Sequence, residues 1–153
     1  MKRLLFRVSV LFLTLAIGVA ATYLFHKFYI QFECTAMGSL VVEPGGYGGF
    51  TAYKSHDGVS LSFSQVRFPS REAAAEAYQR TLRDAVRVIE REPFYDRTRE
   101  NIVGERVAAI FPPNEYVESE WASVICLDNM KLYQISSPSL RHALAFDKGN
   151  RRY

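Results

Sequence analysis

Residues 70–92 read SREAAAEAYQRTLRDAVRVIERE and carry the clearest secondary-structure signal in the chain. Ser70 is a favourable N-cap residue, and the run ends before Pro93, which cannot continue a helix. Apolar residues recur within it at helical spacing, at Ala74, Tyr78, Leu82, Ala85 and Ile89. The pattern predicts one long amphipathic helix over 70–92 that packs on a sheet.

Three strand-like runs and a short helix follow this segment. The strands are predicted at 102–111, 121–127 and 130–135. The middle run is apolar on both faces, as a strand covered on both sides would be. Ser139 then begins a short helix over 140–147.

A hairpin is predicted before the long helix. Asp57 and Gly58 lie between strand-like runs at 50–55 and 59–68, and Asp-Gly is a strong hairpin signal. The apolar residues of the second run change sides at Val66. This change of phase predicts a β-bulge near Ser64.

These elements predict an α+β fold. A two-layer domain over 50–153 would hold an antiparallel sheet of about five strands, with the helix at 70–92 on one face and a short C-terminal helix. Residues 28–49, which include the glycine-rich run 44–49, are predicted to be a stalk and a flexible loop.

The N-terminal segment is predicted to be a transmembrane anchor. Residues 4–25 read LLFRVSVLFLTLAIGVAATYLF, and roughly 20 apolar residues span a bilayer. Residues 1–27 are therefore predicted to be a cytoplasmic N-terminus and a transmembrane anchor. The basic residues near the anchor favour a single-pass protein of the bacterial inner membrane with a periplasmic domain. A cleaved signal peptide is the alternative, because residues 18–21 are small.

The charge distribution argues against a nucleic-acid partner. The net charge is +3, but four of the 19 basic residues, Lys2, Arg3, Arg7 and Lys27, flank the apolar segment. The remaining 15 basic residues are balanced by 16 acidic residues, so the domain has no excess of positive charge with which to bind nucleic-acid phosphates.

The anchor carries two patterns that predict partners in the membrane. A stripe of small residues suited to helix packing consists of Thr14, Gly18, Ala21 and Thr22. Aromatic residues predicted to lie at the membrane interface are Tyr23, Phe25, Phe28, Tyr29 and Phe32. His26 is a candidate ligand for a haem or chlorophyll metal, with a hydrated boundary residue as the alternative.

Cys34 and Cys126 are the two cysteines of the chain. In an oxidising compartment an even pair favours a disulfide, which would join the stalk to the core. Two free thiols are the alternative.

No motif for catalysis, a metal or a cofactor is found, so the chain is not predicted to be an enzyme. The leading hypothesis is a membrane-anchored accessory, structural or assembly subunit that contacts other membrane protein subunits and the lipid bilayer. The alternative is a membrane-tethered periplasmic ligand-binding or sensing module. An enzyme with an unrecognised site is the third hypothesis.

Overall fold

Seven β-strands form one antiparallel sheet in the computed structural model, which describes residues 18, 30–95, 98 and 100–150. A helix packs on each face of this sheet. In chain order the elements are β1 Phe32–Val42, β2 Gly46–Ser55, β3 Ser60–Arg67, α1 Arg71–Arg83, β4 Arg87–Tyr95, β5 Ile102–Phe111, β6 Trp121–Asp128, β7 Lys131–Ser137 and α2 Leu140–Asn150.

The sheet consists of two meanders that meet in its middle. The strand order is β1-β2-β3-β7-β6-β5-β4, and Phe63 of β3 lies opposite Ile135 of β7 where the meanders join. The connection through α1 carries the chain from β3 to β4 at the far edge. Strands β1 and β4 are therefore the two edges.

The central strands divide the core into two layers because successive side chains point to opposite faces. Val107 and Ile125 pack with Tyr78 of α1. Their neighbours Ala108 and Val124 point the other way and belong to the cluster beneath α2. Strand β6, which is apolar on both faces, is thus covered on both faces, as the sequence predicts.

The predicted long helix is wrong beyond Arg83. Its beginning is confirmed, because Ser70 Oγ accepts a hydrogen bond from the Ala73 N–H at 3.1 Å. The chain then leaves the helix, and the Val86 N–H donates to the Ile110 carbonyl at 2.8 Å. Residues 87–95 form β4 instead, since pairing with β5 satisfies their backbone hydrogen bonds, and the segment contains two β-branched and two aromatic residues.

The predicted bulge in β3 is also wrong. The register of β3 with both neighbours is continuous. Leu61 packs in the α2 layer, whereas Val66 and Phe68 pack in the α1 layer. The apolar side of β3 changes because a different helix covers each face.

The predicted layout of a transmembrane helix followed by a two-layer domain of about five strands is therefore wrong. The described residues contain seven strands between two helical layers, and no helix among them is long and apolar enough to cross a bilayer. Residues 32–42 and 46–55 are strands, so most of the predicted stalk, glycine-rich run included, belongs to the sheet. The predicted anchor over 4–25 lies outside the described residues except for Gly18.

Candidate functional site

A buried arginine lies in the layer between the sheet and α2. Arg106 of β5 is 1% exposed. Its Nε donates to Asp147 Oδ2 at 2.9 Å, and its Nη1 donates to Glu90 Oε2 at 2.9 Å. Glu92 Oε2 lies 3.7 Å from Nη1. One guanidinium is thus surrounded by three carboxylates from β4 and α2.

The neighbouring carboxylates keep Arg106 charged. Burial acts to lower the pKa of Arg106, but the hydrogen bonds to Glu90 and Asp147 outweigh it, so the pKa lies above its usual value. A buried charge needs such pairing, because an isolated one would be strongly destabilising.

One nitrogen of the guanidinium lacks an acceptor. Nη2 of Arg106 lies 2.8 Å from Asp147 Oδ2. Its N–H bonds nevertheless do not point at an acceptor, and it is the one buried side-chain nitrogen or oxygen of the described residues without a hydrogen bond. The short distance to Asp147 contributes Coulomb attraction, and Nη2 itself is enclosed by the protein.

Arg106 forms part of the wall of a cavity of about 370 Å³. This volume is at the lower end of the range for small-molecule sites. Three aromatic rings and two carboxylates share the wall with the arginine: Phe94, Tyr95, Tyr133, Asp128 and Asp147. The cavity therefore combines apolar rings with a few charged groups, as binding sites do.

The strand register explains why there is space beside Arg106. Gly104 lies two residues away on the same face of β5, between Phe94 on β4 and Asp128 on β6. Because Gly104 has no side chain, this position of the sheet leaves room next to the guanidinium. A Cβ there would collide with the carbonyl oxygen of Leu127, so only glycine fits.

A second polar cluster connects the β2–β3 turn to the first turn of α2. His142 is 5% exposed, and its Nε2 lies 2.9 Å from Asp57 Oδ1. Its Nδ1 lies 2.8 Å from Ser139 Oγ. Ser55 donates a further hydrogen bond to Asp57. The hydrogen bonds from Ser55 and His142 lower the pKa of Asp57 to about 2.

Serine, histidine and aspartate in contact resemble the components of an acyl-transfer triad. Here Ser139 immediately precedes α2 and lies three residues before His142, so their contact is local. Neither the Arg106 cavity nor the groove of about 600 Å³ beside Trp121 is lined by Ser139, His142 or Asp57. We interpret the cluster as an anchor that holds α2 on the hairpin.

The predicted disulfide is wrong, because no bond joins Cys34 and Cys126. Cys34 is exposed on β1, whereas Cys126 is buried on β6. Three strands separate β1 from β6, which corresponds to roughly 19 Å at the usual strand spacing. Cysteines further apart than about 7 Å between Cα atoms cannot be bridged.

Phe32 is the one predicted interfacial aromatic residue that the structure describes. Its ring packs edge-on against Phe146 at 5.2 Å and against His142 at 6.3 Å, beneath α2. Gly18 is helical. The other predicted membrane-contact residues lie outside the described residues: Thr14, Ala21, Thr22, Tyr23, Phe25, His26, Phe28 and Tyr29.

Sequence reasoning missed both polar clusters. It placed Asp57 in a turn and His142 on a helix, but these residues are 85 positions apart and nothing in the sequence pairs them. Arg106 occupies an alternating position of an apolar strand, and a charged residue at such a position was the available signal. No family model, curated protein or solved structure matches this chain.

Proposed function

We propose that this protein is an assembly subunit of a larger complex, and that it extends its sheet through β1 onto a strand of a partner protein. The supporting observation is the difference between the two edges of the sheet. An edge strand presents unpaired N–H and C=O groups that can pair with another chain.

The β4 edge is protected against such pairing. Its nine residues include the charged Arg87, Glu90, Arg91 and Glu92, followed by Pro93. Charges and proline on an edge strand disfavour pairing with other chains. This edge therefore blocks uncontrolled association.

The β1 edge has no comparable protection. Its eleven residues, FECTAMGSLVV, contain Glu33 as their single charge and no proline. Val41 lies opposite Tyr47 of β2, and Met37 lies on the same face. These three side chains are 74%, 65% and 75% exposed, respectively. A partner strand at β1 would gain backbone hydrogen bonds and cover apolar side chains.

Photo-crosslinking in native cells tests this pairing. A photoreactive amino acid at position 37 on β1 is expected to yield a discrete adduct, whereas the matched position 88 on β4 yields none. The pair of substitutions Met37→Lys and Val41→Lys should abolish the complex, and Val88→Lys should leave it intact. All three positions are exposed, so folding is expected to be affected by no more than about 0.5 kcal/mol per change.

Equal adducts at positions 37 and 88 would contradict the proposal, as would a complex that survives both lysine substitutions. An adduct between two copies of the chain would support the pairing and identify the partner as a second copy.

The proposal includes a location in the bacterial inner membrane, with the domain in the periplasm. It is supported by the apolar run over 4–25 and the basic residues around it. Protease treatment of spheroplasts should degrade a C-terminal tag. A protected tag, or a protein that fractionates with the cytosol, would refute this location.

A ligand-binding module is the second candidate function. It is favoured by the cavity beside Arg106, whose wall combines three aromatic rings with charged groups.

A further inference from the structure

The second half of β1 carries an uncharged, alternating pattern on an edge of the sheet. Residues 36–42 read AMGSLVV and pair with β2 in a continuous register, whereas a register shift just before Ala36 interrupts the strand. Met37 and Val41 lie two positions on either side of Ser39. All three side chains point to the same face, because successive side chains of a strand alternate.

This spacing makes the segment complementary to itself. When a second copy pairs antiparallel with β1 about a two-fold axis at Ser39, Met37 of each copy lies directly opposite Val41 of the other. Directly opposed side chains of neighbouring strands contact each other. Met37 and Val41 are 75% and 74% exposed in the single copy, so both pairs would cover apolar side chains. Tyr47, which lies opposite Val41 on β2, extends each apolar row.

The same register also fits on the other face of the sheet. There Leu40 lies opposite Gly38 of the second copy. Val42 likewise lies opposite Ala36, so each larger side chain meets a small one. The ring of Phe50 on β2 occupies the space above Gly38 and is 37% exposed. This ring would therefore lie beside Leu40 of the second copy.

Neighbouring registers lose the match. An axis at Gly38 would place Met37 opposite Ser39, and an axis at Leu40 would place Met37 opposite Glu43. A strand of any sequence could supply backbone hydrogen bonds to β1. A second copy also supplies the side-chain match, because a two-fold axis makes every such contact twice.

The charge of β1 permits pairing between identical copies. Its single charged residue, Glu33, lies outside the matched segment 36–42. In the antiparallel pair the two Glu33 side chains lie at opposite ends of the interface, about 40 Å apart along the strands, so solvent ions screen their repulsion. A parallel pair of copies would instead place them side by side.

We propose that the partner strand is β1 of a second copy of this chain, paired antiparallel about a two-fold axis at Ser39. The two seven-stranded sheets then form one continuous sheet. This inference rests on the proposed pairing through β1 and names its partner. The pairing stops at two copies, because each copy uses its β1 edge and the charged β4 edges remain outermost.

Disulfide trapping of the full-length protein tests the register directly. In a Cys34→Ser background, Ser39→Cys places two thiols across the axis, where opposed Cα atoms are about 4.5–5.5 Å apart and within the range for a disulfide. Met37→Cys is the matched control, since its two thiols are about 14 Å apart along the strands. Mild oxidation in intact cells is expected to yield at least about tenfold more dimer with Ser39→Cys than with Met37→Cys.

A mixture of two variants provides a second measurement. Copies with Met37→Cys and copies with Val41→Cys, distinguished by different tags, are expected to cross-link to each other because these positions face one another. Val41→Cys alone should give as little dimer as Met37→Cys alone. Positions 37, 39 and 41 are all exposed, so folding is expected to tolerate each substitution.

Two results would overturn the second copy as partner: no dimer with Ser39→Cys, or equal yields with Ser39→Cys and Met37→Cys, which would indicate random collisions. The photo-adduct at position 37 separates this failure from failure of the proposed function. An adduct that contains only this chain supports both proposals. An adduct with a different protein, together with no Ser39→Cys dimer, overturns the second copy and leaves pairing through β1 standing. No adduct at position 37 would overturn both.

Discussion

Arg106 on β5 and Asp147 on α2 are joined by a buried ion pair between residues 41 positions apart. His142, five residues before Asp147, contacts Asp57 in the β2–β3 turn. Helix α2 is thus held at two points along its length by polar contacts with different parts of the sheet. Ala143 and Phe146, which lie between these points, supply the apolar contact. The position of α2, and with it the shape of the cavity, depends on both polar contacts.

The Asp147→Asn variant is expected to be strongly destabilised. It leaves a buried guanidinium without its closest carboxylate, and breaking a buried pair typically costs about 3–5 kcal/mol. Glu90 remains in contact with Arg106, so we expect the lower end of this range. Urea unfolding measures the loss.

Arg80→Gln is the control for this prediction. It breaks the exposed pair between Arg80 and Glu76 on α1, which contributes about 0.3–0.5 kcal/mol. Similar losses in both variants would show that the Asp147 contact is no stronger than a surface pair.

Local signals in the sequence predicted much of the sheet. The hairpin around Asp57, the β5 strand and the cap at Ser70 are all found in the structure, because each depends on neighbouring residues. The helical pattern gave a wrong prediction where pairing with a strand distant in sequence determines the secondary structure. Val86 and Ile89 continue the helical stripe in sequence, yet the pairing of β4 with β5 makes their segment an edge strand.

The candidate site could not be predicted in the same way. Its charged and aromatic residues come from the four strands β4 to β7 and from α2, and they meet only after these strands have paired and α2 has packed on them. The assignment of 28–49 to a stalk and loop was likewise a problem of context. Gly38 and Ser39 of β1 and the glycines of β2 are typical of a loop, whereas the pairing of β1 with β2 holds them in a sheet.

Gly104→Ala is expected to disrupt the pairing of β5 with β6. An added Cβ would collide with the backbone carbonyl of Leu127, which cannot move without breaking the strand pair. Adding an atom to a well-packed site typically costs about 1–3 kcal/mol and occasionally more. Thermal unfolding and urea unfolding measure this cost.

Gly149→Ala provides the comparison for Gly104→Ala. Gly149 lies in α2, and nothing is within 4 Å of the position that a Cβ would take. Alanine in a helix is more stable than glycine by about 0.5–1 kcal/mol. A destabilised Gly149→Ala or an unaffected Gly104→Ala would contradict the packing around these two glycines.

The two thiols are expected to react at very different rates. Cys34 is exposed and should be alkylated in the folded protein, whereas Cys126 is 1% exposed and should react only after unfolding. Mass spectrometry of the Cys34→Ser and Cys126→Ser variants assigns each reaction. A protein in which neither thiol reacts until it is reduced would instead contain the disulfide that the structure excludes.

The contact between Asp57 and His142 is expected to weaken in acid. The folded-state pKa of Asp57 is about 2, below the usual value of 3.8, because Ser55 and His142 bond to its charged form. A depressed carboxylate pKa stabilises the folded protein above the unfolded-state value, and this contribution disappears as the pH falls toward the folded-state value. The loss therefore falls between about pH 4 and pH 2.

The difference in unfolding free energy between wild type and Asp57→Asn isolates this contribution. We expect the difference to be largest above pH 4 and to shrink as the pH approaches 2, since protonated aspartate and asparagine are both uncharged. Glu76→Gln on α1, on the other face of the sheet, is the control and should follow the wild-type pH profile closely. A difference for Asp57→Asn that stays constant from pH 5 to pH 2 would show that its effect comes from lost packing or hydrogen-bond geometry and not from the charge held by His142 and Ser55.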